Sequence, residues 1–324
     1  MTGVPGSRVT PSSESRLGVG VVGAGRVGAV LGRALRAAGH AVVGASGISE
    51  TSRERIETML PGVPHLQVQD VVERAELVLL TVPDDVLADL VSGLARLGAW
   101  QPGQIVVHTS GAQGTAVLEP ARAAGAIPLA LHPAMTFTGT SLDLTRLVGC
   151  TFAVTAPAPV LPIGQALVVE VGGEPVVVRE DARPLYHAAL AHGANHLVVL
   201  VAQAAQALAA AGVAAPDRVL APLLAAALDS AIGAAANAGD GTAAGASGVA
   251  GLTGPVVRGD VGTVRAHLHE LADLAATDPA AADVLDSYRA LSRAATARAL
   301  AGARLTTDQA ERLLDALAHP EDPL

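Results

Sequence analysis

Six residues, Gly23-Ala24-Gly25-Arg26-Val27-Gly28, constrain this chain more than any other part, because of what flanks them. Residues 17–22 (LGVGVV) form an apolar run of strand length. Residues 29–38 (AVLGRALRAA) are apolar at helical spacing and stop at Gly39. In a chain rich in small residues, a G-x-G-x-x-G run by itself carries little weight. Between a buried strand and a helix it has the physical parts of a dinucleotide-binding turn. Gly23 permits the tight turn, Gly25 leaves room for a pyrophosphate against the backbone, and Gly28 lets strand and helix pack closely. The helix N-terminus then offers free N–H groups and a partial positive charge to the phosphates.

Strand and helix patterns alternate after this turn. Residues 41–45 (AVVGA), 77–82 (LVLLTV), 105–108 (IVVH), 126–131, 151–155 and 175–178 read as buried strands separated by helical stretches,. The fold class is therefore expected to be α/β, a doubly wound, mostly parallel sheet with helices on both faces. Such sheets bind ligands at the carboxyl ends of their strands. Here those ends carry Val82-Pro83-Asp84, Thr109-Ser110-Gly111 and His132-Pro133. From about Asp181 strand signals stop and alanine dominates. The spacing predicts helices over 183–211, 216–237, 263–275, 280–302 and 308–318, the last opened by a capping box from Thr306 to Gln309,. The expected organisation is a Pro/Ser/Gly-rich flexible tail over 1–15, a dinucleotide-binding domain over 16–181 and an all-helical domain over 182–324. The small-residue repeat Gly245, Gly248, Gly251, Gly254 reads as a loop or tight helix end.

Composition narrows the functions. A length of 324 residues suggests about two domains,. Half the residues are apolar, yet there are only two Phe, two Tyr and one Trp, so the core must be built from Ala, Val and Leu. The net charge of −9, with no Lys/Arg cluster, argues against a nucleic-acid partner,. The single cysteine, Cys150, excludes an intrachain disulfide and a cysteine-rich metal site, and fits a reducing cytoplasm,. Residues 197–215 are apolar enough to pass for a membrane span. They lack aromatic belts and basic flanks, so a buried helix is expected and no membrane partner,.

Three further groups of residues carry candidate chemistry. About 20 residues beyond Gly23, where an acidic side chain would bond a ribose 2′-hydroxyl, stand Val43, Gly44, Ala45 and Ser46,. Ser46, Ser49, Ser52, Arg53 and Arg55 suit a 2′-phosphate instead, so NADP is expected over NAD. The two arginines also fit the solvated face of a helix over 52–60. On a helical wheel for 185–208, His192, Asn195, His196, Val199, Gln203 and Gln206 share one side, and no charge occurs between Arg183 and Asp217,. That neutral polar stripe reads as a helix buried at a domain junction, or as one bonded to neighbouring helices in a dimer core. Arg258, in LTGPVVRGD, is the lone cation between Arg218 and Arg265. It can hold a substrate carboxylate, or pair with Asp260, itself placed to cap the next helix.

GAGRVG at 23–28, TVPDD at 81–85, HTSGA at 108–112, LHP at 131–133, YHAALAHGANHLVVL at 186–200 and LTGPVVRGD at 252–260 together carry a resemblance. From about 17 to 275 the chain resembles bacterial Rossmann-like oxidoreductases with a C-terminal helical domain of unassigned function, relatives of the 6-phosphogluconate dehydrogenase-like enzymes. The resemblance implies a Rossmann domain that binds NADP, and the residues expected to bind it are Gly23, Gly25, Arg26, Val27, Gly28, Ser46, Arg53, Val82, Pro83, Asp84 and Ser110. It also implies a helical domain that dimerises, and a cleft between the two. Related β-hydroxyacid dehydrogenases and ketopantoate reductases carry a Lys four residues before an Asn. Here Asn195 fits that Asn, but the Lys position holds Ala191. An acid near the developing alkoxide must then come from elsewhere, with His132 and His192 as candidates. Imine reductases and pyrroline-5-carboxylate reductases of similar architecture work without the Lys, because an iminium already carries its proton. The expected function is thus a cytoplasmic, NADP-dependent hydride transfer to a small carbonyl or imine, using Asn195, His132, His192 and Arg258 and no metal. The alternative is a non-catalytic NADP-binding sensor or assembly protein; a deazaflavin-linked reductase shares the same fingerprint.

Overall fold

The computed structural model describes residues 16–236 and 251–319. The tail expected over 1–15, and Gly245 and Gly248, lie outside the described residues. The chain divides into two compact units, Met1–Gly193 and Ala194–Leu324.

The first unit alternates strands and helices in the order β1 (Gly18–Val22), α1 (Arg26–Ala37), β2 (Ala41–Ser46), α2 (Glu50–Met59), α3 (Val68–Arg74), β3 (Leu77–Leu80), α4 (Asp84–Arg96) and β4 (Ile105–His108). Then come α5 (Glu119–Ala123), β5 (Ile127–Pro133), α6 (Leu142–Leu147), β6 (Thr151–Thr155), α7 (Leu161–Glu170), β7 (Glu174–Val177) and α8 (Arg183–Leu190). The seven strands make one sheet in the order β2-β1-β3-β4-β5-β6-β7. All neighbours are parallel except β5 and β6. Because β1 lies between β2 and β3, the strand order reverses at β1, which makes this end of the sheet its switch point.

Period-two alternation explains why these strands read as unbroken apolar runs. Leu77 and Leu79 of β3, with Ile105 and Val107 of β4, join the cluster that includes Ala29, Val30 and Leu31 of α1. Their neighbours Val78, Leu80 and Val106 join the opposite cluster, with Leu87 and Val91 of α4 and Trp100. Both faces are covered, so neither offers a polar side to break the run.

The second unit is helical: α9 (His196–Ala210), α10 (Pro216–Ala236), α11 (Pro255–Arg258), α12 (Val261–Thr277), α13 (Ala282–Ala301) and α14 (Thr307–Ala318). Its core gathers Val257, Val264, Leu268, Ala299, Leu305, Leu313 and Leu317. The capping box opens α14 as expected, with Thr306 Oγ1 accepting from Gln309 N and Gln309 Oε1 accepting from Thr306 N.

Two expectations about the long helix need correction. Residues Ala191–Asn195 form a π-helical turn between α8 and α9. One extra residue in a turn rotates the preceding helix by about 100° relative to the next one. The wheel that grouped His192 and Asn195 with Gln203 and Gln206 therefore does not hold. Nor is the helix over 197–215 buried. Gln203 is the one buried side chain of α9, bonded through Nε2 to Asp283 Oδ2 (2.7 Å) and Ser287 Oγ (2.9 Å). Its apolar residues Leu197, Val198, Val199 and Leu200 are exposed, as are Leu223, Leu228 and Ile232 of α10. The segments Glu180–Ala210 and Pro216–Ala236 are long and apolar enough, by length and composition, to cross a membrane.

Candidate functional site

The turn after β1 is built around three glycines with different constraints. Gly23 has φ +87°, open to glycine at little cost, and Thr81 Oγ1 donates to its carbonyl at 2.6 Å,. The N–H groups of Gly23 and Ala24 both donate to Ser46 O, at 3.2 and 2.7 Å. The ends of β1, β2 and β3 are thereby tied at one point. A Cβ on Gly28 would lie 2.2 Å from Thr81 Oγ1 and 2.6 Å from Gly23 O, so helix and strand touch. A Cβ on Gly25 would meet nothing closer than 3.9 Å. Gly25 is also the N-cap of α1, whose first turn has neither a side-chain cap nor an acidic residue. Open space thus faces uncapped N–H groups at a positive helix end. That chemistry fits a diphosphate.

Beyond the β2 end, Ser46 is buried, with its Oγ 3.4 Å from Gly23 N. Ser49 caps α2, accepting from Ser52 N at 3.2 Å. Arg53 is exposed in the first turns of α2, whereas Arg55 is half-buried. A Cβ on Gly139 would sit 2.9 Å from Arg55 Nε and 2.9 Å from Arg26 Cγ, so the glycine admits both side chains against its loop. The buried carboxylate of Asp143 shapes that loop, accepting from Thr138 N (2.8 Å), Gly139 N (2.7 Å) and Thr138 Oγ1 (2.9 Å). Arg55, Thr51, Gly139, Thr140 and Ser141 line a cavity of about 560 Å³. Among the described residues no carboxylate pairs with Arg26, Arg53 or Arg55.

Further along the strand ends, Ser110 Oγ donates to Asp84 Oδ2 at 2.8 Å and accepts from Gln113 N at 3.0 Å. This joins the start of α4, after Val82 and Pro83, to the loop after β4. His108 is fully buried; its Nδ1 accepts from Ser110 N (3.2 Å) and its Nε2 donates to Gly114 O (2.9 Å). Burial lowers its pKa to about 4, against the bond to Gly114, so it is a neutral structural imidazole,.

Arg183 has a role that no sequence pattern marks. Its side chain is fully buried, with Nε donating to Thr155 Oγ1 (2.8 Å) and Nη1 to Ser110 O (3.0 Å). Nη2 donates to Ala130 O (2.7 Å) and Ala153 O (3.1 Å). One guanidinium fork thus pins the start of α8 to β5, β6 and the loop after β4. The next turn of α8 presents Tyr186, whose Oη lies 3.0 Å from His132 Nδ1, and His187. The His132 ring meets both edge-on, with centroids 5.6 and 6.1 Å away. A Cβ on Gly111 would lie 2.6 Å from His187 Cδ2 and 2.9 Å from His132 Nε2. Burial, then the positive charge of Arg183, lowers His132 to about 4. Burial raises the Tyr186 phenol above its usual value, while Arg183 opposes it.

The four expected catalytic residues fall on different elements of the two units. His132 belongs to the strand-end group. His192 and Asn195 are exposed positions of the π-helical turn, a feature frequent at functional sites,. Arg258 is exposed at the end of α11 in the second unit. Its neighbour Asp260 caps α12, accepting from Thr263 N (3.0 Å) and Thr263 Oγ1 (2.7 Å). Sequence reasoning missed Arg183, Tyr186 and His187. The available signal was a tyrosine and a histidine opening an alanine-rich helix, in a chain with only two tyrosines.

The sheet order, the glycine turn and the clustering at strand ends define the class, a Rossmann-like α/β unit followed by a helical one. Residues 4–133 match the Rossmann-like domain family, and residues 150–295 match the domain of unknown function DUF2520. The chain thus carries a Rossmann-like domain followed by a DUF2520 domain. No curated protein matches the sequence. Among solved structures it is similar to a Bacteroides fragilis protein assigned as an NADP oxidoreductase, at 22% identity and TM-score 0.65, over 87% of this chain and 98% of the other. An imine reductase from Pseudomonas sp. matches at 19% identity and TM-score 0.61, over 95% and 100%. An imine reductase from Myxococcus stipitatus in complex with NADP+ matches at 17% and 0.59, over 92% and 99%. These likenesses establish the fold.

Proposed function

We propose that this chain is an NADP-dependent oxidoreductase transferring hydride to a small carbonyl or imine substrate. The observation that carries the reading is the β1–α1 turn, where Gly25 leaves open space beside uncapped N–H groups while Gly23 and Gly28 have none to spare,. The backbone at Gly25, Arg26 and Val27 would hold the diphosphate. Val82, Pro83, Asp84 and Ser110 continue the site along the strand ends. Reduced nicotinamide supplies the hydride when bound. Ser49, Ser52 and Arg53, with Arg26 and Arg55 unpaired with any carboxylate among the described residues, favour a 2′-phosphate and hence NADP over NAD,. The similar structures include imine reductases, one in complex with NADP+. Arg258 is the group assigned to a substrate carboxylate, and Asn195 and His192 are assigned to the reacting end. Residues 16–181 are assigned to the cofactor and 182–324 to substrate and dimerisation. The single cysteine fits a reducing cytoplasm, and the exposed apolar residues of α9 and α10 support a homodimer in which a second copy covers them,.

Fluorescence titration with NADPH and NADH tests the reading, with NADPH expected to bind more tightly. Arg53→Ala should weaken NADPH by about tenfold and NADH little. Equal loss for both overturns the phosphate assignment, and failure of the wild type to bind either removes the reading. A non-catalytic NADP sensor is the second reading, favoured by Ala191 where related enzymes carry Lys. Tight NADPH binding without oxidation by any of a panel of 2-oxo acids and cyclic imines would select it.

A further inference from the structure

We infer that Tyr186 donates the proton at this site and that His132 is the positioning residue that orients its hydroxyl. The inference rests on the oxidoreductase reading. A hydride delivered to a carbonyl carbon pushes the C=O π electrons onto oxygen, and that oxygen needs an acid within reach. The strand-end cluster contains no lysine. Its carboxylate, Asp84, is engaged by Ser110 Oγ. His132 itself is a poor acid there: with a pKa of about 4, about one ring in a thousand is protonated at pH 7,. The Tyr186 phenol carries its proton at neutral pH, as an ordinary tyrosine does, and burial raises it further,.

Geometry makes the pair usable. Arg183 lies one helical turn before Tyr186 on α8, and its bonds to Ser110 O, Ala130 O, Ala153 O and Thr155 Oγ1 fix that turn on the sheet,. His132 stands at the carboxyl end of β5, where ligands of such sheets bind,. As a neutral ring with its proton on Nδ1, it donates to Tyr186 Oη across 3.0 Å, which leaves the phenol O–H free to point at a ligand. The titratable and charged groups around the pair are His187 on α8, His108 and Asp84 at neighbouring strand ends, Arg183 beneath, and the Cys150 thiol on the side of Tyr186. Atoms and charge balance in the step. The carbonyl carbon gains the hydride supplied by reduced cofactor, its oxygen takes the proton from Tyr186 Oη, and the phenolate is stabilised by His132 Nδ1–H and the Arg183 charge until solvent reprotonates it. An iminium would not need this group, so Tyr186 marks the site for an uncharged C=O group such as the keto group of a 2-oxo acid.

The chain has two tyrosines, so Tyr288→Phe leaves Tyr186 as the only phenol to follow by phenolate absorbance, with no cofactor present. In that background His132→Phe should raise the Tyr186 pKa by about one unit or more, and His132→Asn, which restores an N–H donor, should bring it back. An unchanged titration overturns the positioning role. For the proton transfer, Tyr186→Phe should keep wild-type NADPH affinity, which also reports folding, and lose about 10²-fold or more in kcat with a 2-oxo acid. A Tyr186→Phe enzyme that turns over as fast as wild type overturns the inference and leaves the oxidoreductase reading standing. A wild type that binds NADPH but reduces nothing in the panel overturns both.

Discussion

The two units are made of the same small aliphatic residues but use them differently. In the first, β1 and β3 to β6 are buried along most of their length, and polar residues left inside are bonded, among them His108, Ser110, Asp143 and Arg183. In the second, α11 to α14 build a core, while α9 and α10 leave Val198, Leu223 and Ile232 more than half exposed. The first unit covers its sheet within one chain, although Ile48, Leu142 and Leu185 also stand exposed on it. The second presents an apolar surface of the kind that marks an interface. The composition is common to both; what differs is whether the periodicity has two faces to cover or one.

Acid gives the largest expected difference between the units. His108 and His132 bind protons near 6.5 in an unfolded chain and near 4 in the folded first unit. Stability is therefore at its plateau above pH 6.5, falls as pH drops from there, and levels off below about 4, with up to two extra protons taken up on unfolding. The loss is on the order of a few kcal/mol. All described histidines of the second unit are exposed, so it has no matching liability. Urea unfolding followed by Trp100 fluorescence, which reports the first unit alone, should show its midpoint falling over this range. A flat midpoint would mean that the two rings are not held neutral by burial.

Next comes the glycine turn, where two changes of one methyl group should part company. Gly28→Ala forces a Cβ within 2.2 Å of Thr81 Oγ1 and 2.6 Å of Gly23 O, and should cost the first unit about 1–3 kcal/mol,. Gly25→Ala meets open space at an ordinary φ of −74°, and should leave stability within about 0.5 kcal/mol while weakening NADPH by about tenfold or more,. If both variants lose only stability, the turn is packing alone and no phosphate site.

These contrasts mark what the sequence makes legible. Buried strands and the glycine turn announce themselves, because an apolar run must be covered and a positive φ restricts the residue. The predicted strand over 105–108 and the Thr306 capping box are observed as read, since each depends on local chemistry. Arg183 could not be found this way, because its partners are mostly carbonyls of residues far along the chain, and carbonyls have no sequence. Tyr186 stayed hidden for the same reason: its meaning comes from His132, on another element. The π-helical turn leaves no mark in a composition of Ala, His, Gly, Ala and Asn, and it shifted the wheel on which the polar stripe was drawn.

The exposed face of α9 supplies a smaller effect and a sharper test of the comparison. Val198 is 69% exposed in the single chain. Val198→Asp should therefore leave the unfolding midpoint of a dilute sample unchanged, yet raise the dimer dissociation constant at least about tenfold, about 1.4 kcal/mol, by sedimentation velocity. A wild type that stays monomeric at all concentrations, or a variant that assembles equally well, would leave the two units alike in needing no cover.

The smallest expected effect lies in the finished part of the second unit. Thr306 caps α14 reciprocally with Gln309, satisfying two backbone donors at a helix whose buried face, Ala310, Leu313, Ala316 and Leu317, closes the core. Thr306→Ala removes the hydroxyl and should cost about 1 kcal/mol, while Thr306→Gly should cost only a few tenths of that unit, because glycine tolerates the extended N-cap backbone and exposes it to water. Urea denaturation of both variants by far-UV circular dichroism, with Trp100 fluorescence recorded in parallel to mark the first unit's transition, reads the shift that belongs to the second unit. Equal stability of the alanine variant and wild type would show that packing of Leu313 and Leu317 alone holds this helix, and that the self-sufficient core of the second unit ends before α14.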